Sequence, residues 1–336
     1  MKKRNQFRVA VYSLIAVHLV ILLGGFIAPY DYAIQNRKYP FVAPTRIHVI
    51  DGLGHFHIRP FIYGLRYRSP EYIEEDEQMY PIRFLIRGSA YKLAGFLPAR
   101  IHLFGVDEPA RIFLLGTDEY GRDQLSRLLP GGQISLLAGL IAAALSIGIG
   151  LLFGIVAGYY GRLSDEIVMR LAEVFMVLPW LYLLLAVKGF LPLNVGPAKS
   201  FLLVISVIGL VGWARPARLI RGIVLTAKER NYVIAARGFG ASDIYILRRH
   251  ILPQTMAVVL TQATLLVTTY SLSEMTLSFL GLGVSEPVPS WGNMLASLQQ
   301  YHVLTSYWWM FAPAFPAILV FWGYYTVANT LQEPTP

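Results

Sequence analysis

The chain has 336 residues, of which 55% are hydrophobic and 15% are charged, and its formal net charge at pH 7 is +9. This composition, with a mean hydropathy of +0.50, points to an integral membrane protein rather than to soluble domains. The absence of cysteine excludes disulfides and thiolate metal sites.

The first 30 residues predict a cytoplasmic N-terminus followed by a first transmembrane helix. Residues 1–8 carry four basic side chains. The uncharged run Val9–Tyr30 is long enough to cross the roughly 30 Å hydrocarbon core, which takes about 20 helical residues. A cleaved signal peptide has a shorter apolar part and a better cleavage site, so we favour an uncleaved span over residues 1–30.

Residues 31–132 form a polar segment too long to be a simple connection between spans. Stretches rich in Ile, Phe, Tyr and Arg alternate in part and predict strands, with an acidic turn at residues 71–77 between them. We therefore expect a small β-rich domain outside the membrane. His48, His55 and His57 raise the possibility of a metal site, but no carboxylate or cysteine pattern accompanies them, and ordinary strand residues are the favoured interpretation.

The segment Leu115–Gly139, LGTDEYGRDQLSRLLPGGQISLLAG, closes this insertion. A glycine permits a bend, Asp123 can cap a helix, and Leu125, Leu128 and Leu129 form an apolar stripe. The pattern predicts a turn followed by an amphipathic helix at the membrane interface. Its GTDxxGRDxxSR stretch is similar to one that precedes the second span in permeases of peptide and nickel importers.

Residues 133–336 predict a core of five further helices. Glycines recur every few residues in the first of them and let neighbouring helices approach closely, so we expect this helix to be packed inside the bundle. Pro179 predicts a kink in the third span of the chain. The five predicted spans are about 134–159, 167–191, 198–213, 251–279 and 308–325.

Three polar residues, Ser271, Ser273 and Glu274, interrupt the fifth span, and Ser271 and Glu274 are the functional candidates among them. A carboxylate inside a membrane is a candidate for a transport pathway. The alternative is a hydrogen bond between helices that only holds the bundle together. We favour this structural role, and both residues stay candidates for the pathway or for a helix interface.

The polar loop at residues 228–253 separates two apolar segments and predicts two short helices that meet at a turn. Strong helix formers at residues 235–237 favour the first helix. Gly240 can end that helix in a left-handed conformation, and Ser242 or Asp243 can cap the second. The loop lies within a cytoplasmic connection predicted at residues 214–253.

The second helix of the loop has a predicted apolar face. Ile244, Leu247 and Ile251 recur at spacings of three and four, with Arg248 and a second arginine on the opposite side. Pro253 marks either the end of this helix or the entry into the next span.

The order of residues in the loop resembles the cytoplasmic loop of permease subunits of ABC importers. The pattern is a pair of alanines, three further residues, a glycine and a closing Leu-Pro; Ile234 stands where the family has Glu, and RHILP is similar to the peptide-transporter branch. A second similar stretch, SFLGLG…PSWG, follows the fifth span. In the family this loop docks into a groove on a separate ATPase subunit. The resemblance implies an ATPase-coupling role for Ala235, Ala236, Gly240, Ala241, Ser242, Asp243, Arg248, His250, Leu252 and Pro253.

The resemblance also implies the fold and the partners. The expected fold is an all-α polytopic membrane protein with about six transmembrane helices of ABC importer permease type and an extracytoplasmic β-rich insertion between helices 1 and 2. The expected partners are a second permease subunit in a heterodimer, two ATPase subunits, an extracytoplasmic substrate-binding protein and membrane lipid. The chain has no GxxxxGK[ST], GxSxG or HExxH motif, so we expect no catalytic site, metal or cofactor in it and ATP on the partner subunits.

The distribution of basic residues predicts the orientation. With the N-terminus in the cytosol, fourteen Lys and Arg residues lie in the inner segments and two lie in the short outer loops. Both termini and the 228–253 loop are therefore expected in the cytosol of a prokaryotic cell whose plasma (inner) membrane the chain crosses several times. The asymmetry also accounts for the net charge without nucleic acid.

These features favour a permease subunit that forms half of a translocation pathway for peptides and couples to ATPase subunits through the 228–253 loop. Importers of nickel chelates or other small solutes share the motifs and remain an alternative. A self-sufficient secondary transporter would need ion-coupling groups near mid-membrane and usually an internal repeat, and neither is evident. A membrane enzyme built on the three histidines is the least favoured interpretation.

Overall fold

The computed structural model describes residues 2–68, 71–93, 97–189 and 196–332 of the chain. Most of these residues are helical, and two small antiparallel sheets lie between the first and second long helices. The strands are β1 His48–Ile50, β2 Phe56–Arg68, β3 Glu71–Pro81, β4 Arg83–Leu93 and β5 Leu97–Gly105. The α-helices are α1 Lys2–Leu22, α2 Gly24–Ile27, α3 Gln124–Tyr160, α4 Arg162–Val177, α5 Trp180–Gly189, α6 Pro197–Gly212, α7 Ala214–Lys228, α8 Asn231–Gly238, α9 Asp243–Ile246, α10 Leu252–Phe279, α11 Trp291–Leu295, α12 Tyr301–Ser306 and α13 Ala314–Gln332. A π-helical segment lies at Leu247–Ile251, and 3₁₀ segments lie at Ala296–Gln299 and Trp308–Phe311.

Five helical stretches in the described residues are long and apolar enough to cross a membrane, and a bent helix pair raises the number to six if it counts as one span. This confirms the predicted class, an all-α polytopic membrane protein with a β-rich insertion between the first two spans. The five stretches are Asn5–Leu22, Gln124–Tyr160, Pro197–Lys228, Asp243–Phe279 and Trp308–Leu331.

The third predicted span, 167–191, bends at the predicted position, Pro179, but the bend is a break between two helices and not a kink within one helix. The axes of α4 and α5 differ by 79° across a short break. Leu178, at the break, has an extended conformation with ψ of 119°, because the residue before a proline is driven out of the helical region. Pro179 adds to the effect, since it has no N–H to continue the hydrogen-bond ladder. Residues 190 and 191 of the prediction lie outside the described residues.

The chain divides into two compact units, the first of which comprises Met1–Leu14, Leu136–Thr276 and Val320–Pro336. Its central helix is α3, whose glycines lie directly against other helices. A Cβ atom added to Gly154 would lie 2.7 Å from the carbonyl oxygen of Ala217, and one added to Gly158 would lie 2.8 Å from Cβ of Val224. The α3 and α7 backbones therefore approach closely, which confirms the predicted packed inner helix.

We expect a substitution at Gly139 of α3 to separate α3 from α10. An added Cβ would lie 2.6 Å from the carbonyl oxygen of Val267, so Gly139→Ala overpacks the contact and should lower the free energy of unfolding by about 1–3 kcal/mol. Gly148 lies on the same helix with nothing within 4 Å of its Cβ position, and Gly148→Ala should stabilise the helix by up to about 1 kcal/mol. Thermal unfolding of both purified variants in detergent measures the difference. Equal melting temperatures would contradict the close packing.

The second unit comprises Ile15–Ser135 and Leu277–Leu319 and contains the two sheets. Strand order is β1-β2-β3 in one sheet and β4-β5 in the other. The acidic turn predicted at residues 71–77 is wrong, because these residues form the beginning of β3. They pair with the basic end of β2, where Arg66 forms an ion pair with Glu75. Opposite charges on facing strands favour this pairing over a turn.

The three histidines that raised the question of a metal site, His48, His55 and His57, each contact a carboxylate. Nε2 of His48 lies 3.0 Å from Glu74. His55 and His57 both contact Oδ2 of Asp51, at 3.2 and 3.0 Å. Two carboxylates, Glu74 and Asp51, therefore accompany these histidines, although no sequence pattern indicated them, and they act as hydrogen-bond partners. Within the described residues no group of three or more His, Asp or Glu side chains is arranged to hold a metal ion.

The amphipathic helix predicted at the membrane interface is not a separate element. The leucines of its predicted apolar stripe, Leu125, Leu128 and Leu129, belong to the first turns of α3. This helix continues without a break to Tyr160. Asp123 caps this helix as predicted, because its Oδ2 accepts hydrogen bonds from the N–H and the hydroxyl of Ser126, at 2.8 and 2.6 Å. The cap and the strong apolar character of the following residues extend the helix directly into the second span.

Two of the stretches that resemble the importer permeases, the GTDxxGRDxxSR stretch and the SFLGLG…PSWG stretch, contact each other. The guanidinium groups of Arg122 and Arg127, both buried, donate hydrogen bonds to Glu286 at 2.8 and 3.0 Å. Asp118 accepts a second hydrogen bond from Arg122, at 2.6 Å. The indole N–H of Trp291 donates to the carbonyl of Leu128 at 3.0 Å. The turn before α3 is therefore held to the segment before α11 by charged and polar contacts.

The buried cap residue Asp123 should make stability depend on pH. Burial raises the pKa of its carboxyl to about 7, against about 3.9 in an unfolded chain. Between about pH 4 and pH 7 the unfolded chain releases a proton that the folded chain keeps, so the free energy of unfolding falls as the pH rises through this range. We expect Asp123→Asn to remove this contribution, so that the variant loses less stability than wild type between pH 4.5 and pH 7.5.

Thermal unfolding across this pH range, with the exposed carboxylate variant Glu166→Gln as a control, checks the expectation. The control should show the wild-type pH dependence. An Asp123→Asn variant with the same pH dependence as wild type would show that this carboxyl is not the titrating group.

Candidate functional site

The loop at residues 228–253 forms two short helices, as predicted. The first is α8, and the N–H of Ala241 donates to the carbonyl of Ala236 at 3.0 Å to close its end. Gly240 follows with φ of 81°, the left-handed conformation that favours glycine. Ser242 caps α9, since its hydroxyl accepts a hydrogen bond from the N–H of Tyr245 at 3.4 Å. Asp243 is the first residue of α9 and lies at its positive end.

The apolar face predicted for the second helix is wrong at one position. Ile251 is buried and Leu247 packs against the same core, but Ile244 is 64% exposed. Ile246 is buried in its place, together with Val233 of α8. The two short helices are thus anchored to the bundle by one apolar cluster, whose other members include Tyr159, Ile220, Val224 and Ala227.

Pro253 is the second residue of α10 and does not end the helix. The chain passes from α9 through the π-helical segment into α10 without a break. The N–H of Leu252 donates to the carbonyl of Leu247, five residues earlier. Because proline clashes with the carbonyl four residues before it and cannot donate to it, a widened turn at this point lets the helix continue. His250 lies in this turn between the rings of Tyr232 and Tyr245, at 5.6 and 5.7 Å.

A polar bridge, not predicted from the sequence, ties the loop to the end of α3. The hydroxyl of Tyr159 donates to Oδ1 of Asp243 at 2.6 Å. Arg237 donates to the same hydroxyl at 3.1 Å, and its guanidinium lies 5.5 Å from the centre of the Tyr159 ring. One tyrosine therefore links both short helices of the loop to the bundle. The three residues are far apart in the sequence, and no local pattern could have brought them together.

The outward side of the loop is apolar and basic. Phe239, immediately before the left-handed glycine, is 93% exposed, and Ile234 and Ile244 are more than half exposed. Ala235, Arg248 and Arg249 are also exposed. Large apolar side chains beside arginines, with few acids, are typical of a surface that contacts another protein. The left-handed turn at Gly240 places Phe239 at the apex of the loop.

The two pathway candidates of the fifth span are both buried in α10. Ser271 and Glu274 are 1% and 0% exposed. Ser271 lies on the side of α10 that packs against α3, because a Cβ atom added to Gly139 would lie 2.9 Å from its backbone nitrogen. For Ser271 this position favours the helix-interface role over the pathway role, and the functions of both residues remain predictions.

Residues 150–333, more than half of the chain, match the family model of binding-protein-dependent transport system inner membrane components. The chain belongs to this family. The resemblance predicted from the sequence is therefore confirmed, and the protein is a multi-pass membrane permease subunit of ABC importer type.

Three curated relatives of this permease have sizeable identity. The dipeptide transport system permease protein DppC of Bacillus subtilis is 38% identical over 237 residues, which are 70% of this chain and 68% of the relative. The oligopeptide transport system permease protein OppC of the same organism is 35% identical over 70% of this chain and 72% of its own. DppC of Alkalihalophilus pseudofirmus is 31% identical over 70% and 72%.

Two solved structures are also similar to this permease. An amino acid ABC transporter crystallised with histidines has a TM-score of 0.44 and 16% identity, over 61% of this chain and 90% of its own. The MetNI methionine ABC transporter in an inward-facing conformation has a TM-score of 0.44 and 17% identity, over 62% and 97%.

We expect the tyrosine bridge to keep the permease loop closed on the bundle. Tyr159→Phe removes the hydroxyl that binds Asp243 and Arg237, and the loss of a hydrogen bond to a charged group should raise the population of the open loop about tenfold. Limited trypsin digestion at the exposed Arg237 then accelerates, and mass spectrometry of the fragments follows it. Tyr160→Phe, which changes the exposed neighbouring tyrosine, should leave the cleavage rate unchanged. Equal rates in the two variants would contradict the bridge.

Proposed function

We propose that this chain forms half of the translocation pathway of a peptide importer and couples to separate ATPase subunits through the 228–253 loop. The observation that carries the proposal is the loop itself. Its exposed apolar and basic side is presented by two short helices that an apolar cluster and the Tyr159 bridge hold against the bundle. A rigidly anchored protein-binding surface at the end of a membrane bundle is suited to transmit force from a soluble partner.

The partners of the proposed complex follow from the family. They are a second permease subunit in a heterodimer, two ATPase subunits that hold the ATP, and an extracytoplasmic binding protein that delivers the substrate. We propose that the coupling residues are those of the family pattern in the loop, from Ala235 to Pro253, with Phe239 as an added anchor at the apex. The chain itself then needs no cofactor and no catalytic residue.

The proposed orientation puts both termini and the loop in the cytosol, where the ATPase subunits and ATP are. It rests on the excess of Lys and Arg in the N-terminal segment and in the loops that follow the even-numbered spans. The β-rich insertion is then outside the cell membrane, on the side from which a binding protein delivers its substrate. A cysteine introduced at exposed Glu166, which lies in a predicted inner segment outside the coupling loop, should react with a membrane-impermeant maleimide only after the cells are opened.

Peptides are the proposed substrate because three curated relatives at 31–38% identity are named as dipeptide or oligopeptide permeases. The four subunit types should purify together, and in proteoliposomes the complex should import a short peptide only with ATP, the ATPase subunits and the binding protein. Nickel-chelate uptake in place of peptide uptake would change the substrate class. Ion-driven uptake by this chain alone would instead support a secondary transporter.

The turn at Gly240 provides a test of the coupling role. Gly240 has nothing within 4 Å of its Cβ position, so Gly240→Val acts only through the backbone, where the left-handed conformation costs a branched residue about 1–2 kcal/mol. We expect normal membrane insertion but weaker ATPase binding and slower ATP-driven uptake. Gly240→Asn, which tolerates this conformation, should restore most of the activity, and Gly238→Ala should be neutral. Full uptake by Gly240→Val would remove the proposed role of the turn.

A further inference from the structure

The first unit contains a cavity of 340 Å³ between the α4–α5 break, the α6–α7 junction and α10. This volume lies at the lower end of the roughly 300–1,000 Å³ range of small-molecule sites. The cavity is half open and mostly apolar, with polar side chains on two of its walls. Its polar lining residues are Arg215, Gln262, Thr269, Tyr270 and Ser273.

Arg215 is the only charged residue among those that line the cavity in the described part of the chain. The two other arginines of α7 have acidic partners. Arg218 lies 3.6 Å from Glu173, and Arg221 binds Asp165 through two hydrogen bonds. Arg215 forms no ion pair with any residue that the structure describes. Arg215 lies at the start of α7, where the predicted cytosolic segment joins the bundle, and its exposed side chain can reach a ligand from the open side of the cavity. The cavity therefore has a net positive wall suited to an anion.

The α10 wall supplies hydrogen-bond acceptors. The hydroxyl of Thr269 donates to the carbonyl of Leu265 at 3.0 Å, and that of Ser273 donates to the carbonyl of Thr269 at 2.9 Å. Because both hydrogens are used within the helix, the two oxygens are left as acceptors toward the cavity. They lie four positions apart, one turn along the same face of the helix.

The cavity face of α10 is not the face that carries the two pathway candidates. At 100° per residue, positions 262, 266, 269 and 273 fall within a narrow sector, and Ser271 lies nearly opposite them. Ser271 packs toward α3, as described above, and Glu274 is absent from the cavity lining. The polar face that meets open space is therefore the one with Thr269 and Ser273.

We propose that this cavity binds the C-terminal end of a short peptide during translocation, with Arg215 holding the free carboxylate. Arg215 offers a planar pair of N–H donors that matches a carboxylate. The oxygens of Thr269 and Ser273 accept hydrogen bonds from peptide N–H groups, and the apolar walls, which include Trp180 and Leu266, contact the side chains. This inference rests on the proposed peptide function and assigns to this subunit a specificity for peptides with an unblocked C-terminus.

The test compares a dipeptide, Ala-Phe, with its C-terminal amide. The full complex of permeases and ATPase subunits is placed in nanodiscs of zwitterionic lipid, without the binding protein, so that the preference of the binding protein does not contribute. Equilibrium dialysis of each radiolabelled peptide measures binding. We expect the free dipeptide to bind about tenfold more tightly than the amide, since the charge-assisted contact to Arg215 is lost in the amide.

Two arginine variants separate the site from a general charge effect. Arg215→Gln should abolish the preference for the free carboxylate, because both ligands then meet a neutral side chain. Arg218→Gln removes a cation from the same helix that does not line the cavity, and it should retain the preference. Equal binding of the two ligands to wild type, or an unchanged ratio in Arg215→Gln, would overturn the inference.

Further outcomes distinguish this inference from the proposed function. A complex that imports peptides with ATP but binds no peptide in the dialysis experiment would overturn the inference and leave the function in place. A complex that imports no peptide would overturn the function. The other source of an anion is the phosphate of an anionic lipid. Native mass spectrometry that finds phosphatidylglycerol retained by wild type and lost in Arg215→Gln, without peptide binding, would assign the cavity to lipid instead.

Discussion

The close contact of α3 with α7 and α10 is the constraint on which the helical bundle depends. In a membrane, apolar surface gives helices little reason to associate, and close backbone approach through small residues takes its place. Gly139, Gly154 and Gly158 each lie where a single methyl group would meet the backbone or side chain of a neighbouring helix. The same three helices also position the loop and the cavity, because α3 carries Tyr159, α7 carries Arg215 and α10 carries Thr269 and Ser273.

Much of this architecture could be predicted from the sequence because membrane segments are long and locally encoded. The positions of five spans, the left-handed Gly240, the cap at Ser242 and the cap at Asp123 all follow from residues close together in the chain. The glycine spacing in α3 likewise indicates a packed helix before any partner helix is known. Short-range patterns suffice wherever the backbone must satisfy its own hydrogen bonds within a single segment.

The predictions that were wrong involve contacts between distant residues or competition between two local preferences. The acidic segment after β2 has the composition of a turn, but the arginines on the facing strand make it a strand. Pro179 produces a full break because the restriction on Leu178 adds to its own missing N–H. The Tyr159 bridge joins residues 78 and 84 positions apart, and the Arg215 cavity is lined by separate segments between residues 175 and 273. Nothing in the local sequence indicates these neighbours.

The unbroken path from α9 through the π-helical segment into α10 has a mechanical consequence. A helix rises 1.5 Å per residue, so Ser273 lies about 30 Å from Leu252 along a stiff rod. If a partner tilts the loop end of that rod by about 5°, the cavity face is displaced by roughly 3 Å, about the length of one hydrogen bond. Such a lever arm converts a small rotation at the loop into the making or breaking of individual polar contacts at the cavity, with no need for any helix to unfold.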